Sequence, residues 1–278
     1  MLEVLGFEFF RNALLAGVFA SIAGGIIGTY VVVRRIVSVS GGISHAAFGG
    51  VGLGYYLGID PLLGAAVFTV ATALGMGVLE IRARQQMDTI IGAVWAAGMA
   101  LGILFVYLTP GFAPDLFSYL FGNILLVPQG DVLLMAVLVA IIVAIVGLFY
   151  LEFQAVTFDP DYARVMNLPV ERLSLLLLVL VALTVVMLIR VVGIILVIAL
   201  LTIPAAISRL YTGRVWSMML LATGLGALFT LIGIGLSYVL NVPSGATIIL
   251  VSTAAYAAAL GIRGGRSVRL WRDTQKGE

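Results

Sequence analysis

One histidine, His45, stands in the run Ser40-Gly-Gly-Ile-Ser-His45-Ala-Ala-Phe-Gly-Gly, in a chain that contains no cysteine. Neutral imidazole is the commonest side-chain ligand for zinc, manganese or iron ions. A polar ring set into the start of an apolar helix is costly, which makes it a functional suspect. The alternative is that His45 hydrogen-bonds a carbonyl and merely orients its loop, and the neighbouring residues leave both readings open. One imidazole cannot hold a divalent ion alone, so an ion site needs waters, carbonyls or a second His45 across a dimer axis. The absence of cysteine excludes disulfides, thiolate metal sites and thiol catalysis. A single histidine with no intramembrane acid also supplies no catalytic dyad, so the chain reads as a non-enzyme.

A second group of residues has helix-capping chemistry. In the polar stretch 153–172, Asp159 is a good N-cap, Pro160 suits the first helical position, and Asp161 favours the positive end of the helix dipole. Asn167 tolerates the left-handed conformation that ends a helix, and Pro169 prevents its continuation. The spacing predicts a two-turn helix over 160–166. Such an element is either an ordinary capped loop helix or a short rigid knob that seats in a partner.

The elements around these residues are greasy. Hydrophobic residues make up 62% of the 278 and charged residues 10%, with a mean hydropathy of +1.20. A soluble domain carries about 25% charged residues, so this surface faces lipid and the chain is read as an all-α membrane protein. Apolar stretches long enough for a ~30 Å hydrocarbon core fall near 12–33, 43–58, 62–79, 89–108, 132–151, 173–189, 192–208, 215–240 and 245–262. The second is short and glycine-rich, which suggests tilt, a bend or partial crossing. The stretch 118–126 is too short to cross and reads as interfacial or re-entrant. Gly42, Ala46, Gly50, Gly54 and Gly58 recur every four residues beside His45. Small residues at that spacing let helices approach closely, which places His45 inside the bundle.

Nine crossings sort the loops onto two sides, and thirteen of the fifteen basic residues fall on one of them, leaving Arg11 and Arg190 on the other. That bias puts the C-terminus in the cytoplasm and the N-terminus outside. A cleaved leader around Ala20 is disfavoured, because the apolar run continues unbroken to Val33. The only lysine is Lys276, so no glycine-rich phosphate loop with its lysine exists in this chain. The span interiors, as bounded above, hold no Asp, Glu, Lys or Arg, which disfavours a proton-driven carrier. Asp60 and Asp115 are the only acids expected near the outer ends. The driving force is therefore expected from a partner ATPase.

The chain resembles the integral membrane subunit of ABC importers for divalent transition metals, the zinc/manganese/iron permease family. The resemblance runs from about Arg11 to Arg263. It rests on Ala13-Leu-Leu-Ala-Gly17, Val33-Arg-Arg35, Ile43-Ser-His-Ala46 with the following glycines, Ser118-Tyr-Leu-Phe-Gly122, and Phe158-Asp159 with Ala163. To these it adds the run from Val192-Gly-Ile-Ile to Thr202-Ile-Pro-Ala-Ala206, and Pro243-Ser-Gly245.

The resemblance implies a type II ABC importer-like fold of about nine transmembrane helices plus a coupling helix. It implies one permease domain, 1–265, with a basic cytoplasmic tail, 266–278, in a multi-pass plasma-membrane protein that binds no nucleic acid. It further implies a homodimer, two cytoplasmic ATPase subunits that bind the ATP, and an extracytoplasmic metal-binding protein. No cofactor is held permanently; a Zn, Mn or Fe ion is cargo, passing His45 and Ser44. Phe158, Asp159, Pro160, Ala163 and Asn167 would form the ATPase-coupling element, and Gly42, Gly50, Gly54 and Gly58 would pack helices. A permease for a chelate such as a siderophore or cobalamin is the alternative. The chain departs from the family at three positions: the family often has aspartate at the position of Gly41, usually glycine at that of Asn167, and often aspartate at that of Asn241.

Overall fold

The computed structural model describes residues 7–82, 87–111 and 116–275; Asp115 and Lys276, named above, lie outside them. The first half consists of α1 (Glu8–Val33), α2 (Val37–Leu57), α3 (Pro61–Arg82), α4 (Met87–Leu108), α5 (Leu116–Phe121), a 3-10 turn (Ile124–Leu126) and α6 (Gln129–Leu148). The second consists of α7 (Tyr150–Phe158), α8 (Pro160–Val165), α9 (Val170–Val192), α10 (Val197–Tyr211), α11 (Val215–Leu240) and α12 (Ser244–Gln275). No strand occurs among the described residues. A backbone in hydrocarbon must have its polar groups satisfied, and a helix does this within each long charge-poor segment.

Seven helices, α1, α3, α4, α6, α9, α11 and α12, are long and apolar enough to cross a membrane. With α2 and α10 they give the count of about nine expected from the sequence. At 1.5 Å per residue, the 15 residues of α10 reach about 22 Å, short of a ~30 Å core.

The departures from expectation have local causes. α2 starts at Val37, six residues before the expected 43, and is one continuous 21-residue helix rather than a shortened piece. Ser40-Gly-Gly reads as a loop by propensity, but Val39 to Gly52 are buried and α2 packs mainly on α4 and α3, so packing overrides propensity. The expected span 132–151 breaks at Phe149 into α6 and α7, and α7 stays helical to Phe158. The polar break therefore begins at Asp159, not at Phe153. The piece 118–126 divides at Gly122, which is left-handed with φ +65°.

The helix ends gather into two groups. At one end Arg209 Nη1 donates to the Val32 carbonyl at 3.0 Å, and Arg34, Glu80, Arg164 and Glu171 line one cavity. At the other, Tyr55 of α2 and Arg190 of α9 share a second cavity, and Arg190 pairs with Asp131 of α6. Successive long helices thus run in opposite directions, as the charge pattern requires.

Candidate functional site

His45 is 7% exposed, and its Nδ1 has no hydrogen-bond partner. Its ring stacks on the indole of Trp95 from α4, with centroids 4.0 Å apart and planes 17° from parallel. Ser44, fully buried, donates its hydroxyl to the Ser40 carbonyl at 2.8 Å. A Cβ built at Gly41 would lie 3.2 Å from Ile198 Cδ1 and 3.3 Å from Trp95 Cζ3. A side chain at position 41 would therefore press on Ile198 of α10 and Trp95 of α4. No cluster of three or more His, Asp or Glu that would hold a metal ion occurs among the described residues. The site offers one imidazole in an apolar, aromatic-walled setting.

The glycines beside His45 divide by role. At Gly50 and Gly54 the backbone of α3 approaches so closely that a Cβ would be 2.7 Å from Ala65 Cα and Pro61 Cα respectively. Gly42 has ordinary contacts to Ile91 and Met76 at 3.4 Å. Gly58 differs from its expected packing role. It is the left-handed C-cap of α2, φ +66°, with open space where a side chain would go. Trp95 went unnoticed in the sequence, because nothing in α4 alone tells which of its residues faces His45.

The opposite end of α2 opens on a cavity of about 240 Å³ lined by Tyr55, Tyr119, Asn123 and Arg190, among others. Arg190 Nε lies 2.9 Å from Asp131 Oδ2, and its guanidinium sits over the Tyr119 ring at 5.6 Å. Asp131 corrects the expectation that Asp60 and Asp115 are the only acids near this end. Because α6 and α9 extend past the bounds read from sequence, they carry this ion pair within their ends. Asp60 has a structural task, accepting from Leu62 N at 2.7 Å and Leu63 N at 3.2 Å to start α3. Asn241, where the family often has an acid, caps α11 in the left-handed conformation at φ 54°.

Below this cavity α9 turns into α10 through Gly193, at φ 79° and ψ 165°, a region open essentially to glycine alone. Ile194 N and Ile195 N donate to the Tyr119 and Leu120 carbonyls at 2.9 and 3.2 Å. Gly122 and Gly193 meet backbone to backbone, and a Cβ on either would overlap the other. Ser244 Oγ accepts from Ile124 N at 3.2 Å, tying α12 to the same junction.

At the basic end, α8 forms with the termini its sequence predicts. Asp159 Oδ1 accepts from Tyr162 N at 2.9 Å, Pro160 opens the helix, and Asn167 is left-handed at φ 57°. Leu168 N donates to the Ala163 carbonyl and Asn167 N to that of Arg164, both at 3.0 Å, closing a Schellman motif. Helix α8 ends at Val165, one residue short of the expected 166. Ala163 is fully buried and anchors α8 to the bundle, whereas Phe158, Tyr162, Val165 and Met166 are exposed. Burial pulls the Arg34 guanidinium beside this helix down from its usual value, and Glu80 counteracts it.

Residues 6–263 match the ABC 3 transport family. The chain is 49% identical over 263 residues to an uncharacterized membrane protein of Synechocystis, covering 95% of this chain and 94% of the relative. It is 37% identical over 256 residues to the manganese transport system membrane protein MntC of Listeria monocytogenes, covering 92% and 91%. Among solved structures it is similar to PsaBC from Streptococcus pneumoniae in complex with Fab. That likeness has a TM-score of 0.84 at 32% identity, with 93% of each chain covered. With seven helices long and apolar enough to cross a membrane and a match over nearly its whole length, this chain is a multi-pass membrane protein belonging to the ABC 3 transport family.

Proposed function

We propose that this chain is the translocation subunit of an ATP-driven importer for a divalent first-row transition metal ion. The observation that carries the reading is α8. Tyr162 and Val165 on this capped helix, with Phe158 just before it and Met166 at its C-cap, put four large side chains out beyond the spanning segments. A rigid apolar knob at the basic end fits a groove in a cytoplasmic partner. The partner would be an ATPase, since Lys276 is the only lysine and no phosphate loop exists here. On this reading the basic end is cytoplasmic, ATP and its hydrolysis belong to the partner, and this chain is no enzyme itself. Two copies would form the path, with Phe158, Asp159, Pro160, Ala163 and Asn167 building the coupling element. An extracytoplasmic binding protein would deliver the ion at the Arg190 end.

His45, with Ser44 beside it, would lie on the ion's path. Manganese is the first ion to test, because MntC is named for it; zinc and iron suit an imidazole as well. The test is uptake of Mn2+ and Zn2+ by proteoliposomes holding the chain with its ATPase. His45→Ala is expected to lower uptake at least about tenfold while the ATPase still co-purifies. Unchanged uptake of both ions would make His45 a structural residue. Uptake against a gradient by the chain alone would overturn the importer reading.

A further inference from the structure

Two observations at the His45 site point to Trp95. His45 is 7% exposed with its Nδ1 unpartnered, and Trp95, whose indole covers the imidazole face, is 38% exposed. Trp95 thus stands between His45 and the outside of the single subunit. The same indole, with Ile198, borders the space above Gly41, so a side chain at 41 would press on the stack. We infer that Trp95 is the aromatic wall of the ion site, a residue that orients the imidazole and covers its face, so that a divalent cation binding at His45 alters the surroundings of the indole.

Sterics support this. Gly41 and His45 are one helical turn apart on α2 and share a face, and the indole spans both. A stacked aromatic pair fixes the plane of the imidazole, so Trp95 here orients the ring, a task that a hydrogen-bonding carboxylate usually performs for a ligating histidine. A site of one imidazole and an aromatic wall provides fewer hard oxygen donors than a carboxylate–imidazole pair. That composition favours borderline ions such as Zn2+ over Mn2+ in occupancy at this point of the path. The inference rests on the importer reading, and its test separates the two.

The experiment uses the assembled complex with Trp216→Phe and Trp271→Phe in the chain and a tryptophan-free ATPase background, leaving Trp95 as the reporting indole. Titration with Mn2+ and with Zn2+ is expected to change Trp95 emission saturably, and His45→Ala is expected to abolish the change. Trp95→Ala is expected to lower uptake about three- to tenfold, while Trp95→Phe, which keeps a ring over His45, restores most of it. Gly41→Asp is expected to shift Trp95 emission toward that of a hydrated indole and to raise Mn2+ uptake relative to Zn2+. Emission insensitive to both ions, in a complex whose uptake still requires His45, would sink the role of Trp95 and leave the importer reading intact. Uptake indifferent to His45→Ala would sink the ion site on which the inference stands.

Discussion

At the scale of single residues, two groups have measurable consequences. Arg190 and Asp131 are only partly exposed, at 26% and 18% of their side chains, so removing one partner strands a charge near the edge of the apolar layer. Asp131→Ala is expected to lower the stability of the detergent-solubilised protein by about 1–3 kcal/mol, and pairing it with Arg190→Met to restore most of the loss. Thermal unfolding of the three variants measures this; equal loss in the double variant would show that the ion pair is not the coupling. Gly193→Ala is expected to be severe, because it combines about 1–3 kcal/mol of backbone strain with overlap of Gly122. Expression and a folded, monodisperse protein would be the wrong result. His45 was legible as a singular titratable group in an apolar run. Trp95 and Asp131 were not, because their meaning lies in a neighbour on another helix, and no periodicity within α4 or α6 encodes that register.

At the scale of elements, α8 is the best case of local physics deciding structure. Every device that bounds it, from the Asp159 cap to the left-handed Asn167, acts within a few residues and is therefore visible in sequence. Its outward face was less visible. Ala163, named with the coupling residues, is turned inward, and the exposed contacts come from Tyr162, Val165 and Met166. Asp159→Ala is expected to weaken α8 by about 1 kcal/mol and reduce ATPase co-purification. Val165→Glu, at a 79% exposed position, is expected to abolish co-purification while leaving the thermal midpoint unchanged. Undiminished pull-down of the ATPase by Val165→Glu would remove α8 from the docking role. The start of α2 and the break at Phe149 escaped the sequence for the opposite reason, since both are settled by burial rather than by caps.

At the scale of the whole molecule, the alternation of helix ends and the bias of basic residues agree, and both were legible because hydropathy and charge are sums over many residues. The chain lacks cysteine, so single cysteines report sidedness directly. Tyr162→Cys is expected to react with an impermeant maleimide only from the cytoplasm, and Asp60→Cys only from the exterior. Labelling of both from the same side would break the topology.

The encasement of α2 has a mechanical corollary. A helix whose backbone touches that of α3 at Gly50 and Gly54, and whose other flank is tiled by α4, behaves as a stiff wedge that resists bending or sliding by itself. If the proposed importer pairs two such wedges, its stroke is expected at the seam between copies, with whole subunits tilting like jaws. Turnover would then answer to lipid composition and substitutions along that seam more than to changes within the wedge.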